Sequence, residues 1–282
     1  MSANEQKSKF APIKSYGIRA RNTAADSENK IHDDEIASRY GFRGGLVPGV
    51  TVYAYMTVPL VESFGEGWLE RGAMQVKFNR PVYEGESLTI RADVDNDTEP
   101  RRVFINAERE DGEVCAVAIA TLDDKDSWMM PQIDDYPIKD LPESEARSKA
   151  LRENFIIGAA IGTLTEKIDL TGQAKDYLQK IDEHLPNYFG ERAVLHPGYL
   201  LSLANQIFVC NFTVSPWIHV GSELINRSAV RDGERLAVRG RIAECFERKG
   251  HEFVVLDLLF VANENRIAAQ ARHTAIYKLQ EK

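Results

Sequence analysis

Ser27-Glu28-Asn29-Lys30-Ile31-His32 is followed by Leu46-Val47-Pro48-Gly49 and the apolar run 50–61. Val52, Tyr53, Met56 and Leu60 recur at helical spacing, so the run predicts a helix that starts at the Pro-Gly pair. Gly49 has no Cβ, and its backbone N–H can therefore approach a ligand closely. The first turn, Gly49 and Val50, carries unpaired N–H groups and the positive end of the helix dipole, which favour an oxygen on which negative charge develops. His32 supplies the complementary chemistry: an imidazole, with an unperturbed pKa of about 6.5, exchanges protons near neutrality, and in a pocket it is the default general acid or base. A histidine alone is more often structural. This one has Asn29 before it, Asp33-Asp34 after it as helix-capping groups, then Tyr40-Gly41-Phe42 and the Pro-Gly turn.

The second half of the chain repeats the first. Pro48-Gly49 is matched by Pro197-Gly198, Trp68 by Trp217 and Tyr40-Gly41 by Phe189-Gly190, each 149 residues further on. After a one-residue shift, Gly85-Glu86-Ser87-Leu88-Thr89-Ile90-Arg91 meets Gly233-Glu234-Arg235-Leu236-Ala237-Val238-Arg239, 148 residues on, with Asn79-Arg80 and Asn226-Arg227 just upstream. Self-similarity of this kind reports two copies of one domain. At the offset of 149, Ser27, Asn29 and His32 correspond to Asp176, Leu178 and Ile181, so only the first copy keeps an Asn and a His. His196 then falls opposite Val47, where capping a turn is the preferred reading over a second catalytic role.

Each copy predicts one apolar helix followed by alternating strands. The strands of the first are 74–78, 87–94, 102–109 and 114–122; those of the second are 218–226, 235–244, 252–261 and 267–279, after a helix at 199–210. A helix that is apolar nearly all round is expected to be buried. The expected class is therefore α+β, with an antiparallel sheet wrapped around a long central helix, twice. Residues 1–125 form the first domain and carry the site; 126–154, rich in charge and containing Pro131, Pro137 and Pro142, form a connector with one helix from Ser144; 155–282 form the second domain with a degenerate site.

The pattern from Ser27 to Gly49 resembles the hydratase motif of the MaoC-like, or R-specific enoyl-CoA hydratase, family, in which Asp-x-Asn-x-x-His precedes a long helix whose glycine start binds a thioester carbonyl. The resemblance implies a double hotdog, in which one chain replaces a homodimer; a further homodimer is left open. It implies a lyase that hydrates 2-enoyl-CoA or dehydrates 3-hydroxyacyl-CoA; the alternatives are an acyl-CoA thioesterase or a non-catalytic acyl-thioester binding protein on the same fold. Asn29 and His32 stand where the family has its Asn and catalytic His, whereas Ser27 replaces the catalytic Asp, and Asp26 is the nearest carboxylate on that side. His32 is thereby expected to be the acid/base, with Asn29 orienting the water or the loop, Asp26 or Ser27 replacing the lost carboxylate, and Gly49 and Val50 binding the carbonyl oxygen. Lys30, Arg39, Arg43 and Tyr53 are the candidate substrate-binding residues. The substrate is expected to carry coenzyme A or acyl carrier protein, with no metal and no other cofactor.

Composition bounds the rest. With 282 residues and 43% hydrophobic content the chain can bury two domain-sized cores, and no run approaches the roughly 18 apolar residues of a membrane helix. Residues 1–12 show no apolar signal core, and three cysteines (Cys115, Cys210, Cys245), widely spaced and odd in number, point to a reducing compartment, the cytoplasm, and to no metal site. A net charge of −8 argues against nucleic acid. A nucleotide-bearing thioester needs only a few local cations, so it is not excluded.

Overall fold

The apolar run after Pro48 folds as the helix its spacing predicts, and its lack of any polar face dictates where it lies. The computed structural model describes residues 12–95, 101–121 and 130–280, so the first eleven residues and the expected domain boundary at 125 lie outside the described residues. In chain order the elements are β1 (Tyr16–Arg19), α1 (Asp34–Arg39), α2 (Gly49–Arg71), β2 (Ala73–Phe78), β3 (Ser87–Asp95), β4 (Arg102–Arg109) and β5 (Val114–Thr121). There follow β6 (Ser148–Lys149), β7 (Ala160–Lys167), α3 (Gln173–Lys180), α4 (Pro197–Asn211), β8 (Phe212–Thr213), β9 (Ile218–Asn226), β10 (Arg235–Arg248), β11 (His251–Ala262) and β12 (Arg266–Lys278).

Ten strands form one antiparallel sheet in the order β1-β3-β4-β5-β2-β9-β12-β11-β10-β7. The order is a palindrome: each half contributes five strands, and the halves join where β2 pairs with β9, Ala73 opposite Ile225 through Lys77 opposite Gly221. The sheet curls around α2 and α4, which pack on each other. Every residue of α2 from Val50 to Val61 is buried. Past a kink at Gly65, whose φ of 61° costs a glycine nothing, Trp68 and Leu69 return to the core. Among the described residues no helix is long and apolar enough to cross a membrane.

Three expectations need correction. The helix expected from Ser144 is a single 3₁₀ turn, Ser144–Ala146, after which β6 pairs in parallel with β8. A segment this short has no apolar face to stabilise a nucleated turn. Nor is 126–154 a bare connector: Tyr136 is buried with Leu259 and Val261, donates its hydroxyl to Asp257 at 2.9 Å, and lies 4.8 Å beneath the Arg241 guanidinium. The described part of the segment belongs to the packing of the second half.

The third correction concerns the register of the repeat. The backbone N–H of Val47 donates to Val82 O, and that of Leu195 to Val230 O. Those pairs are 148 residues apart, so Leu195 corresponds to Val47, and His196, the N-cap of α4, to Pro48. Leu46 donates to Ile31 O and Val194 to Asn187 O, which equates the 3₁₀ turn Lys30–His32 with Pro186–Tyr188. The counterpart of His32 is Tyr188, not Ile181. A constant offset fails because α1 is inserted between His32 and Pro48, while the second half has instead gained α3 upstream of its own turn. The tryptophans 149 residues apart also part company: Trp68 lies within α2, whereas Trp217 lies in the segment before β9.

A side chain at Gly221 would press into the seam, where a Cβ would come within 2.8 Å of the Val76 carbonyl. Gly221→Val should destabilise by about 1–3 kcal/mol, lowering the thermal midpoint by roughly 2–4 °C per kcal/mol for a chain of this size class. An unchanged melting curve would mean that the halves are not held by this close pairing.

Candidate active site

The loop before α2 is tied down at each end of its functional segment. Asn22 Nδ2 donates to the His32 carbonyl at 2.9 Å, and the Thr23 and Thr51 hydroxyls are 2.8 Å apart. Asn29 crosses to the other half of the chain: its Nδ2 donates to Trp217 O at 2.9 Å, and its Oδ1 accepts from Trp217 N at 3.1 Å. These two bonds fix which way the amide faces and make Asn29 the clasp between the halves. Asp33 then caps α1 through Ile36 N at 2.9 Å.

So held, His32 has a defined tautomer. Its Nδ1 lies 2.6 Å from the Leu46 carbonyl, which can only accept, so the proton is on Nδ1. Nε2 keeps its lone pair, 3.4 Å from Asn29 Nδ2. Burial lowers the pKa of His32, with the Leu46 carbonyl pulling the other way, so the neutral base is favoured at neutral pH. His32 borders a cavity of about 170 Å³ together with Asn29, Gly49, Val52 and Trp217. Pro48 caps α2 without a side-chain acceptor, and among the described residues the N–H groups of Gly49 and Val50 have no hydrogen-bond partner; Gly49 borders the cavity and Val50 does not.

Among the described residues no Asp or Glu lines this cavity. Asp26 is exposed and borders a separate outer depression with Asp33, Asp34, Arg43 and Glu84, which His32 reaches from its other side. The Ser27 hydroxyl donates to the Asn29 carbonyl at 3.3 Å, a loop-stabilising bond, and Ser27 does not border the cavity. The expected substrate-binding residues lie mostly elsewhere. Lys30 turns back to the Ser27 carbonyl, Arg39 pairs with Glu35 on the exposed side of α1, and Arg43 pairs with Glu86 and stacks on Tyr83 at the outer depression. Tyr53 is wholly buried in the core and does not border the cavity, which α2 lines with Gly49 and Val52. Cys115 borders the cavity, and burial pushes its thiol up, away from the thiolate.

Sequence reasoning missed a second histidine. His219, near the start of β9, lines the same cavity; its Nε2 is 2.7 Å from Ser222 Oγ, which is 2.9 Å from His273 Nδ1. Burial holds both imidazoles far below the ordinary value, His273 at about 3; for His219 the neighbouring His273 adds to the lowering, against a smaller upward pull from the Gly221 backbone. The motif could not reveal this chain, because Ser222 and His273 meet only through the β9–β12 register.

In the second half the equivalent position is closed. His196 Nδ1 accepts from Gly198 N at 2.9 Å, its Nε2 faces Glu183 at 3.2 Å, and the Tyr188 ring lies 4.5 Å away. His196 caps α4, as its sequence position suggests, and Tyr188 stands at the place of His32.

Neither a protein-family model nor a curated protein sequence matches the chain. Solved structures do. A protein from Chloroflexus aurantiacus described as a MaoC domain dehydratase is 11% identical and superposes with a TM-score of 0.67 over 98% of this chain and 99% of its own. Rv0216 of Mycobacterium tuberculosis, described as a double hotdog, is 14% identical, with a TM-score of 0.59 over 95% of this chain and 96% of that one. A structure from Lactobacillus plantarum described as an oleoyl thioesterase is 10% identical, with a TM-score of 0.51 over 94% and 96%. The chain has the double hotdog fold, and the structures it resembles include MaoC-like dehydratases.

Two predictions follow from the geometry. Asn29→Ala removes both bonds to Trp217 and strands its buried backbone groups, so it should cost about 1–3 kcal/mol and free His32 to move; denaturant unfolding measures the first effect. The second concerns acid. The unfolded chain protonates its histidines near 6.5, whereas folding keeps His219 and His273 neutral, so stability is complete above that pH and declines below it, by about 1.4 kcal/mol per pH unit for each imidazole. Denaturation midpoints at pH 7.5 and 5.5 should differ accordingly, and His273→Leu should flatten the dependence; an equal slope in that variant would show that His273 is not responsible.

Proposed function

We propose that this protein is an acyl-thioester enzyme that hydrates 2-enoyl thioesters, or dehydrates 3-hydroxyacyl thioesters, with His32 as its acid/base. The observation that carries this reading is the pairing, in one cavity, of a neutral imidazole whose Nε2 keeps its lone pair, met only by a 3.4 Å contact from Asn29 Nδ2, with Gly49 at the start of α2. The likeness to MaoC-like dehydratases supports the same chemistry.

In the dehydrating direction, His32 Nε2 removes the proton from the carbon next to the carbonyl, and the electron pair moves onto the thioester oxygen, where the Gly49 and Val50 N–H groups stabilise it. As the double bond forms, the bond from the β-carbon to its hydroxyl breaks, and the imidazolium returns its proton to the departing oxygen, releasing water. One base then serves both steps, a route suited to a cavity without a carboxylate. Asn29 is a positioning residue in this scheme, holding the His32 turn to the other half.

The missing carboxylate also favours one alternative, a non-catalytic acyl-thioester binding protein. The two part on turnover. His32→Ala should lower crotonyl-CoA hydration by about 10²- to 10⁴-fold with an unchanged circular dichroism spectrum; wild-type activity in that variant would sink the mechanism, and binding of crotonyl-CoA to the wild type without hydration would establish the alternative. Ser27→Asp, which restores the Asp-x-Asn-x-x-His spacing, should raise the rate. Asp26→Asn should leave it nearly unchanged, and a loss there would show that the Asp26 carboxylate reaches the site and that the one-base route is wrong.

A further inference from the structure

His219 is 93% buried, yet its Nδ1 has no hydrogen-bond partner among the described residues. That nitrogen adjoins the mouth of α2: a methyl group at Gly49 would come within 2.8 Å of it and of the Phe78 ring. Glycine at position 49 therefore keeps a side chain out of the space between Nδ1 and the first-turn N–H groups.

The Ser222–His273 chain decides what Nδ1 offers. The Ser222 hydroxyl has one proton to give. If it were given to His273 Nδ1, the proton of His273 would sit on Nε2, which is fully buried and has no acceptor. If it is given to His219 Nε2, His273 donates from Nδ1 to the serine oxygen, and the one N–H left without a protein acceptor is His219 Nδ1–H, on a residue that borders the cavity. Orphaned buried N–H groups are costly, and only the second arrangement puts the unmatched one on a residue that borders the cavity, where a ligand oxygen can accept it, so His219 presents an N–H at Nδ1.

We propose that His219 is a second catalytic residue, a neutral imidazole whose Nδ1–H donates to the thioester carbonyl oxygen beside the Gly49 and Val50 N–H groups. The carbonyl site is then built from both halves: the first supplies the helix start and the base His32, the second supplies the side-chain donor. A neutral donor suits this position, because it stabilises the enolate oxygen without transferring its proton and without placing a charge in an apolar wall. The Phe78 ring, edge-on to the imidazole at 4.9 Å, and the Ser222 bond hold the ring in place.

This inference rests on the reading that the cavity takes an acyl thioester, and the test separates the two. The probe is 2,4-hexadienoyl-CoA, whose conjugated carbonyl absorbs at longer wavelength when hydrogen-bond donors polarise it. Wild-type protein and His32→Ala should bind it with a red shift. His219→Leu should bind it with most of the shift lost and should lower kcat for crotonyl-CoA by about 10²- to 10³-fold with a smaller change in KM. His219→Asn, whose amide nitrogen nearly overlies Nδ1, should keep part of the shift, and Ser222→Ala, which leaves His219 present but unanchored, should reduce it even where His219→Leu folds poorly. A full shift in His219→Leu and Ser222→Ala, or binding to the wild type with no shift, would overturn the role of His219 and leave the acyl-thioester reading standing. Failure of the wild type to bind the probe would overturn both.

Discussion

The structure depends on the pairing of β2 with β9. Five residues of each strand, Ala73–Lys77 against Gly221–Ile225 in antiparallel register, turn two five-stranded sheets into one. A strand left at a sheet edge exposes unpaired backbone groups, and a single repeat would expose such an edge at β2. Joining the halves there removes it and brings α2 and α4 together under a common sheet, where two helices with no polar face bury each other.

The same junction creates the site. β9 follows directly on the segment that holds Trp217, so the seam that fastens the sheets also brings the Trp217 backbone to Asn29 and His219 to Gly49. The cavity belongs to neither half alone: His32, Gly49 and Val52 come from one, Trp217 and His219 from the other. Anything that loosens the seam should therefore be felt at the cavity.

The two halves show how a duplicated site diverges. Tyr188 occupies the place of His32, and the His196–Glu183 pair is sealed beneath it with almost no solvent contact. The Tyr53, Tyr177 and Tyr188 hydroxyls, all buried and without partners among the described residues, fill the region with aromatic bulk where the first half keeps a cavity. The second half thus has no imidazole at that place, and it supplies β9 and α4 as walls for the cavity of the first.

Much of this was legible in the sequence, because helix and strand periodicities and the repeat are local patterns or direct self-comparisons. The eight long strands, the two buried helices, the double architecture and the role of His196 all follow from them; β1 and β7 at the sheet margins, the two-residue strands β6 and β8, the helix α3 and the folded state of 126–154 were missed. His32, Asn29 and Gly49 were recoverable because their spacing lies within one loop and one helix start. Which carboxylate is near, which way Tyr53 faces, and where Lys30 and Arg39 turn were not, since each depends on a rotation of about 100° per residue along a helix or on a loop path that spacing does not specify. The register of the repeat near the site also escaped, because an inserted helix in one half and a different one in the other break any constant offset. His219, Ser222 and His273 became neighbours only through strand pairing across 51 residues, a long-range contact that carries no local signature. Local pattern is enough to place the long elements and the His32 loop before α2; which groups surround His32 follows from packing, because a cavity between two halves is defined by contacts that neither half encodes separately.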